Sequence, residues 1–367
     1  MNNRIGGYKV GRKPAGANMK ALKNKTALPQ KVDLRKFLTS VEYQVGNSCV
    51  ANAMAGAYEY LAKRELGDAA DVSRLYIYYN ARYVDGTQDE DSGSYMQCAI
   101  DGLIEYGACS EELWPNQEDK INEEPAAEAY EQGAAFRVVE KEYIETDLDL
   151  WRETLAEGYP IAFAINTFDS FDEACNNKGR VPMPKATDNT RETHGWHAML
   201  CVGYSDIDRV FIVRNSWSEE WGDKGYCYIP YDYMIHPDYN SHDSWIIKAV
   251  ENLDYSEGVE VDDEESMFYD SDYLIFKDFY VYTEQSEEFA DELEELILEY
   301  VESEQDFFFD WETLEDDGGV YISLNEFYLL TEEELGFWNA LDELCIVYGG
   351  EDGFDYTVNR ADREEEE

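Results

Sequence analysis

Three residues in the chain combine in type and order to make a nucleophile, a base and an orienting amide. The first is Cys49, which follows the loop Gly46-Asn47-Ser48 and opens the small-residue run Val50-Ala51-Asn52-Ala53-Met54-Ala55-Gly56-Ala57. That run reads as a helix, and free N–H groups with the positive end of the helix dipole favour a thiolate at its start. The second is His197, between the turn Thr193-His194-Gly195-Trp196 and the apolar strand Ala198–Tyr204. The third is Asn215, after the apolar strand Val210–Arg214 and before a Trp/Gly-rich loop. Cys, His and Asn in that order suit covalent catalysis through an acyl-enzyme. Alone, Cys49 reads as a small buried hydrophobe. The strand after His197 favours it over His194 as the base. A helix must therefore present the cysteine and two strands the partners.

The motifs around these residues extend the pattern. Asn215-Ser216-Trp217, Trp221-Gly222 and Gly225-Tyr226 follow one another closely, and His197-Ala198-Met199 leads to Val202-Gly203-Tyr204. Cys49 and His197 are 148 positions apart. On these residues the segment 27–250 resembles the papain family of cysteine peptidases. Val32-Asp33-Leu34-Arg35 is similar to the start of the mature enzyme. Asp91-Ser92-Gly93-Ser94-Tyr95 is similar to the family's CNGGY loop, and Glu112-Leu113-Trp114-Pro115 to the segment after it. Ser73–Arg82 looks most like microbial or viral intracellular members.

The resemblance implies an α+β, two-lobed papain-like fold, with a helical left lobe and an antiparallel β-barrel-like right lobe. It implies that Cys49 attacks the substrate carbonyl, that His197 is its ion-pair partner and general acid, and that Asn215 holds the imidazole. Trp217 shields that bond, while the Cys49 N–H and Gln44 form the oxyanion hole. Gly93, Ser94, Trp196, Trp217 and Trp221 are the implied substrate-binding residues. Gln44 stands five residues before Cys49 where the family has six. The family's half-cystine in that loop is absent. Ser218 and Ser94 replace glycines. The main expectation is an endopeptidase acting on peptides or proteins. A catalytically silent papain fold and a transamidating acyltransferase are the alternatives. No cofactor or metal is expected: His236 and His242 lack a spaced ligand set, and Asp85, Asp89, Glu90 and Asp91 lack an EF-hand pattern.

The formal charge is −52, from 81 acidic and 29 basic residues. It opposes general binding to nucleic acid or anionic membrane. Residues 1–36 carry +9, residues 37–251 carry −24 and residues 252–367 carry −37. The organisation expected is a basic extended arm over 1–26, a peptidase domain over 27–252, an acidic α+β domain over 265–360 and an acidic tail over 361–367. The arm is too short for a long helical prosegment, and a place over the acidic body or cleft is one expectation for it. The acidic domain, with aromatic cores and Glu/Asp-rich faces, suits a basic protein partner or substrate, a solubility role in high salt, mimicry of nucleic acid in a viral setting, or only a solvated accessory. Seven scattered cysteines without a CxxC pair, and no apolar leader, suggest reduced thiols in a cytoplasmic setting, or in a virion if the gene is viral.

Overall fold

The computed structural model describes residues 7–11, 18–22, 28–66, 71–185, 188, 195–252, 273–301, 307–316, 319–331, 334–350 and 353–361. His194 and most of the acidic tail lie outside them. The chain divides into two compact units, Met1–Phe268 and Tyr269–Glu367.

The first unit pairs helices with an antiparallel sheet. The elements in chain order are β1 (Lys31–Asp33), α1 (Cys49–Leu66), α2 (Arg74–Asp85), α3 (Met96–Glu105), α4 (Ala127–Gly133), β2 (Val138–Ile144), α5 (Leu148–Ala156), β3 (Ile161–Asn166), β4 (Trp196–Ser205), β5 (Val210–Arg214), β6 (Tyr226–Pro230), α6 (Tyr231–Met234) and β7 (Ser244–Val250). The sheet order is β2-β7-β3-β4-β5-β6, with β1 joining the far half of β4 past a bulge between Cys201 and Gly203. Ring pairs in this unit's core include Trp151 with Phe163 and with Phe211.

Helix α1 is apolar and small so that it can lie directly on β4. A Cβ on Gly56 would stand 3.2 Å from Leu200 Cδ2, so a larger residue there would push the helix off the strand. Helix α2 has local start and stop signals. The Ser73 hydroxyl accepts from Tyr76 N at 3.0 Å, and Gly86 ends the helix in the left-handed region.

Charge is also used inside this unit. Glu59 on α1 has no exposed surface, and it accepts from Arg74 Nη2 at 2.9 Å, Val72 N at 2.7 Å and Thr39 Oγ1 at 2.7 Å. Arg74, on α2, also meets Glu42, and Glu42 accepts from Arg214 at the end of β5 at 3.2 Å. Burial raises the Glu42 pKa, with Arg74 and Arg214 pulling the other way.

The second unit comprises β8 (Tyr273–Tyr282), α7 (Ser286–Leu298), β9 (Phe307–Asp316), β10 (Gly319–Leu330), α8 (Glu334–Gly349) and β11 (Phe354–Ala361). Its antiparallel sheet has the order β11-β8-β10-β9. Phe276 stacks on Phe327 at 4.3 Å and packs on Phe337 of α8, while Phe279 meets Phe289 of α7. Both helices therefore cover the same sheet face.

Glu59→Ala leaves a buried guanidinium and a buried N–H short of an acceptor. We expect it to lower unfolding free energy by about 3–5 kcal/mol in a urea titration. A loss below about 1 kcal/mol would show that the network is not a structural anchor.

Candidate active site

The fold brings the expected residues together from separate elements. Cys49 is fully buried at the first position of α1. The Gly7 N–H donates to its sulfur at 3.2 Å, and the backbone N–H groups of Ala198 and Val50 lie near enough to pull the thiol's pKa down against burial. Ala198 follows His197 on β4, so the first residues of that strand lie against the start of α1. His197 Nε2 and Asn215 Oδ1 are 2.8 Å apart, and Trp217 stacks on the imidazole at 4.8 Å. Asn215 Oδ1 also accepts from Ser216 N at 2.8 Å, which holds the amide oxygen toward the ring. All three residues are 3% exposed or less, so water does not compete for the bond.

Gln44 joins this group despite its shortened spacing. Its backbone N–H donates to Ser216 O at 2.8 Å, and its side-chain oxygen accepts from Ser216 Oγ at 2.7 Å. One N–H of its Nε2 donates to Gly46 O at 3.0 Å. The loop lacking the half-cystine is tied by hydrogen bonds instead. Asn47 donates from N and Nδ2 to Asp91 Oδ1 and O, at 2.9 and 2.7 Å. Asp91 also accepts from Tyr78 OH, which in turn accepts from Gly93 N. Asp91 is thus a positioning residue for both the cysteine loop and the Gly93-Ser94 loop.

The cleft is filled by the chain's own N-terminal segment. Gly7 O accepts from Ser94 N at 2.8 Å, and Lys9 N donates to Ser94 O at 2.9 Å. Tyr8 thereby pairs with Ser94 in parallel register. Gly93 has φ +76°, and a Cβ on it would strike Gly7 O at 2.2 Å, so glycine is needed for both backbone conformation and close approach. The Tyr8 ring packs by Trp196 at 6.3 Å, and its hydroxyl donates to Asp243 Oδ2 at 3.0 Å. Burial and the nearby Asp243 charge raise the Tyr8 phenol's pKa, and burial raises that of the Asp243 carboxyl. Lys9 Nζ donates to Asp85 at 2.7 Å and to Thr87 at 3.1 Å. A second stretch pairs with Tyr143 through Asn18 O and Lys20 N, and Lys20 forms an ion pair with Glu157.

Of the implied substrate-binding residues, Gly93, Ser94 and Trp196 meet this arm. Trp217 and Trp221 form the wall behind His197: Trp221 is 2% exposed and packs on Trp217 and Phe171. Sequence reasoning missed Tyr8 and Asp243 as cleft residues. The only signal for Asp243 was its place just before the strand Ser244–Val250. All seven cysteines are free, with Cys175 exposed and Cys98 half-buried. Among the described residues one group of carboxylates, Glu42, Glu59 and Asp71, is close enough to share a cation, and Arg74 already lies on two of them.

Comparison with known proteins identifies the family. The model of the papain family cysteine proteases matches residues 28–242. An uncharacterised peptidase C1-like protein of Acanthamoeba polyphaga mimivirus is 34% identical over 234 residues, 59% of this chain and 74% of that protein. Rat cathepsin S is 27% identical over 221 residues, and the match spans 62% of its length. The crystal structure of xylellain, a cysteine protease from Xylella fastidiosa, aligns with TM-score 0.61 and 30% identity, covering 68% of this chain and 97% of that one. The fold and site define a cysteine-type peptidase, a hydrolase. The chain belongs to the papain family. No helix among the described residues is long and apolar enough to cross a membrane.

With the arm seated, burial pushes the Cys49 thiol up to about 11. Only the thiolate reacts, so iodoacetamide labelling of Cys49 rises roughly tenfold per pH unit from neutrality toward that value. Deleting residues 2–26 uncovers the sulfur and speeds labelling at pH 7 by about 100-fold or more, read by mass spectrometry of the Cys49 peptide. Equal rates in the two proteins would show that the arm does not guard the thiol.

Proposed function

We propose that this chain is an endopeptidase using Cys49, His197 and Asn215, kept latent by its own N-terminal arm. The proposal rests on the His197–Asn215 bond beneath Trp217, with His197 at the start of a strand that packs on the helix opened by Cys49. Asn215 engages Nε2, so the other ring nitrogen, Nδ1, exchanges the proton with Cys49. The thiolate attacks the peptide carbonyl carbon, and the negative charge that develops on oxygen is received by the Cys49 N–H and Gln44 Nε2. The imidazolium protonates the leaving amine as the C–N bond breaks. Water, deprotonated by His197, then attacks the thioester and releases the acid and the free thiol.

In the latent state an amide N–H, not a carbonyl carbon, faces the sulfur. The Gly7 carbonyl is held by Ser94 N–H, so the arm blocks the cleft without offering that carbonyl for attack. Tyr8 also marks a side-chain pocket. With Trp196 beside it and Asp243 at its end, the pocket suits a side chain with an apolar stem and a hydrogen-bond donor at its tip: tyrosine, lysine or arginine. A partner for the acidic unit and a reducing cellular compartment remain proposals, the second supported by the free cysteines.

In the protein lacking residues 2–26, Cys49→Ala abolishes peptide hydrolysis. Asn215→Ala lowers kcat/KM by about 100-fold or more, with an altered pH profile. A folded, arm-deleted protein that neither cleaves peptides nor reacts with a thiol-directed epoxide would instead be a silent fold. If amide products accumulate when an amine is added, and acid products do not, transamidation replaces hydrolysis.

Asp243→Asn reduces the preference for lysine or arginine over leucine in that pocket by about 10- to 100-fold, the worth of a hydrogen bond to a charged group. Unchanged selectivity across a peptide library would remove Asp243 from substrate recognition.

A further inference from the structure

The sheet of the second unit has a face that its helices do not use. Strand alternation, reset by an irregularity at Lys277-Asp278 on β8 and another at Asn325-Glu326 on β10, sends Phe276, Phe279, Val281, Ile322, Leu324, Phe327 and Leu329 to the helix side, where each is 3% exposed or less. The opposite face carries a second aromatic set. Tyr321 lies across from Tyr282 on one side and from Leu314 on the other. The rings of Tyr280, Tyr282 and Tyr321 meet at 5.3–6.3 Å. Further along, Phe308 and Tyr328 pair at 5.9 Å. Phe308 and Leu314 are 43% and 36% exposed, although both are large and apolar.

Carboxylates stand between these rings. Glu312 lies across from Ser323, which itself lies across from Tyr280, and Asp355 flanks Tyr280 on the other side. Asp310 shares the β9 face with Phe308 and Glu312. Glu312, Asp310 and Asp355 are exposed. The unit from residue 269 onward holds 33 acidic residues against three basic ones, a net charge of −30. Solubility alone would call for carboxylates without aromatics. Rows of rings with carboxylates between them suit long cationic side chains, whose stems lie on the rings while their charged ends reach the acids.

We propose that this outer sheet face, with Tyr280, Tyr321, Phe308, Glu312 and Asp355 at its centre, binds an extended lysine/arginine-rich protein segment. The surrounding negative potential draws the segment in, and the rings fix where it lies. The proposal is independent of the catalytic assignments.

The test uses the full chain carrying Cys49→Ala. Fluorescence anisotropy measures binding of a labelled twelve-residue Lys/Arg-rich peptide, with a Glu-rich peptide of equal length as control, at about 0.15 M salt. The basic peptide is expected to bind and the acidic one not. Tyr280→Ser with Tyr321→Ser, and separately Glu312→Lys with Asp355→Lys, should each weaken binding at least tenfold. Glu287→Lys with Asp291→Lys, the same charge change on exposed α7 positions, should weaken it less than threefold. Unchanged melting curves establish that the variants fold, and the two face variants stand in for one another if either does not. The assignment is overturned if the basic peptide does not bind, if face substitutions leave binding intact, or if the α7 control weakens it equally.

Discussion

Glu42 takes a cation from each half of the peptidase unit. Arg74 comes from the helical half and Arg214 from the end of β5, and neither guanidinium is more than 5% exposed. Two residues after Glu42 comes Gln44, and immediately after Arg214 comes Asn215. The Arg214 guanidinium also donates to Ser40 O and Thr39 Oγ1, in the strip leading to Gln44. The site is therefore assembled from segments that this charge network registers against one another. Buried ion pairs seldom add much net stability, because desolvation offsets the attraction. Their requirement for matched geometry is what this site needs: if the two halves slid, the pairs would break before the apolar core noticed.

The same rule separates the forces that hold the arm. The arm is basic and the body acidic, so their attraction is long-range and screened by salt. Lys9–Asp85 is a partly exposed pair that belongs to this class. The backbone pairing with Ser94 and the Tyr8–Asp243 bond do not, because both are buried. Charge can raise the frequency with which the arm finds the cleft, but short, directional bonds decide the register that leaves Gly7 N–H on the sulfur. Covering the sulfur also keeps it protonated, since the energetic cost of an unsolvated thiolate exceeds what the hydrogen bonds at the helix start return. Occlusion of the sulfur and its protonation thus follow from one act of burial.

The residues that were legible in the sequence owe it to local constraints. Cys49 is marked by a helix of small residues, His197 and Asn215 by apolar strands with distinctive turns, and the aromatic strands of the second unit by alternation. The path of the arm had no such mark, because a short segment without periodicity is placed only by what it touches. Arg74, Arg82 and Glu59 were illegible for a different reason. Charged side chains read as surface, yet all three are 1% exposed or less, and Arg82 spends its donors on the carbonyls of Gln88, Glu90 and Ile121 and on Asn122. Gln44 lies between these cases: its type was readable, but a missing residue in its loop could be absorbed only by a loop geometry that spacing does not encode. Asp91 and Asn47 supply that geometry by hydrogen bonds.

The two units solve opposite electrostatic problems. In the peptidase unit, acids are drawn inside and neutralised by arginine. In the second unit there is almost nothing to neutralise them with, and those among the described residues stay outside a core of stacked rings such as Phe276–Phe327 and Phe279–Tyr356. Self-repulsion at that charge density opposes compaction, so the aromatic core must outweigh it. A sequence shaped only for folding would lower the charge, and one shaped only for solubility would not leave Phe308 and Leu314 in water. Both costs fall on the same sheet face, where a cationic ligand would relieve the repulsion and cover the rings together.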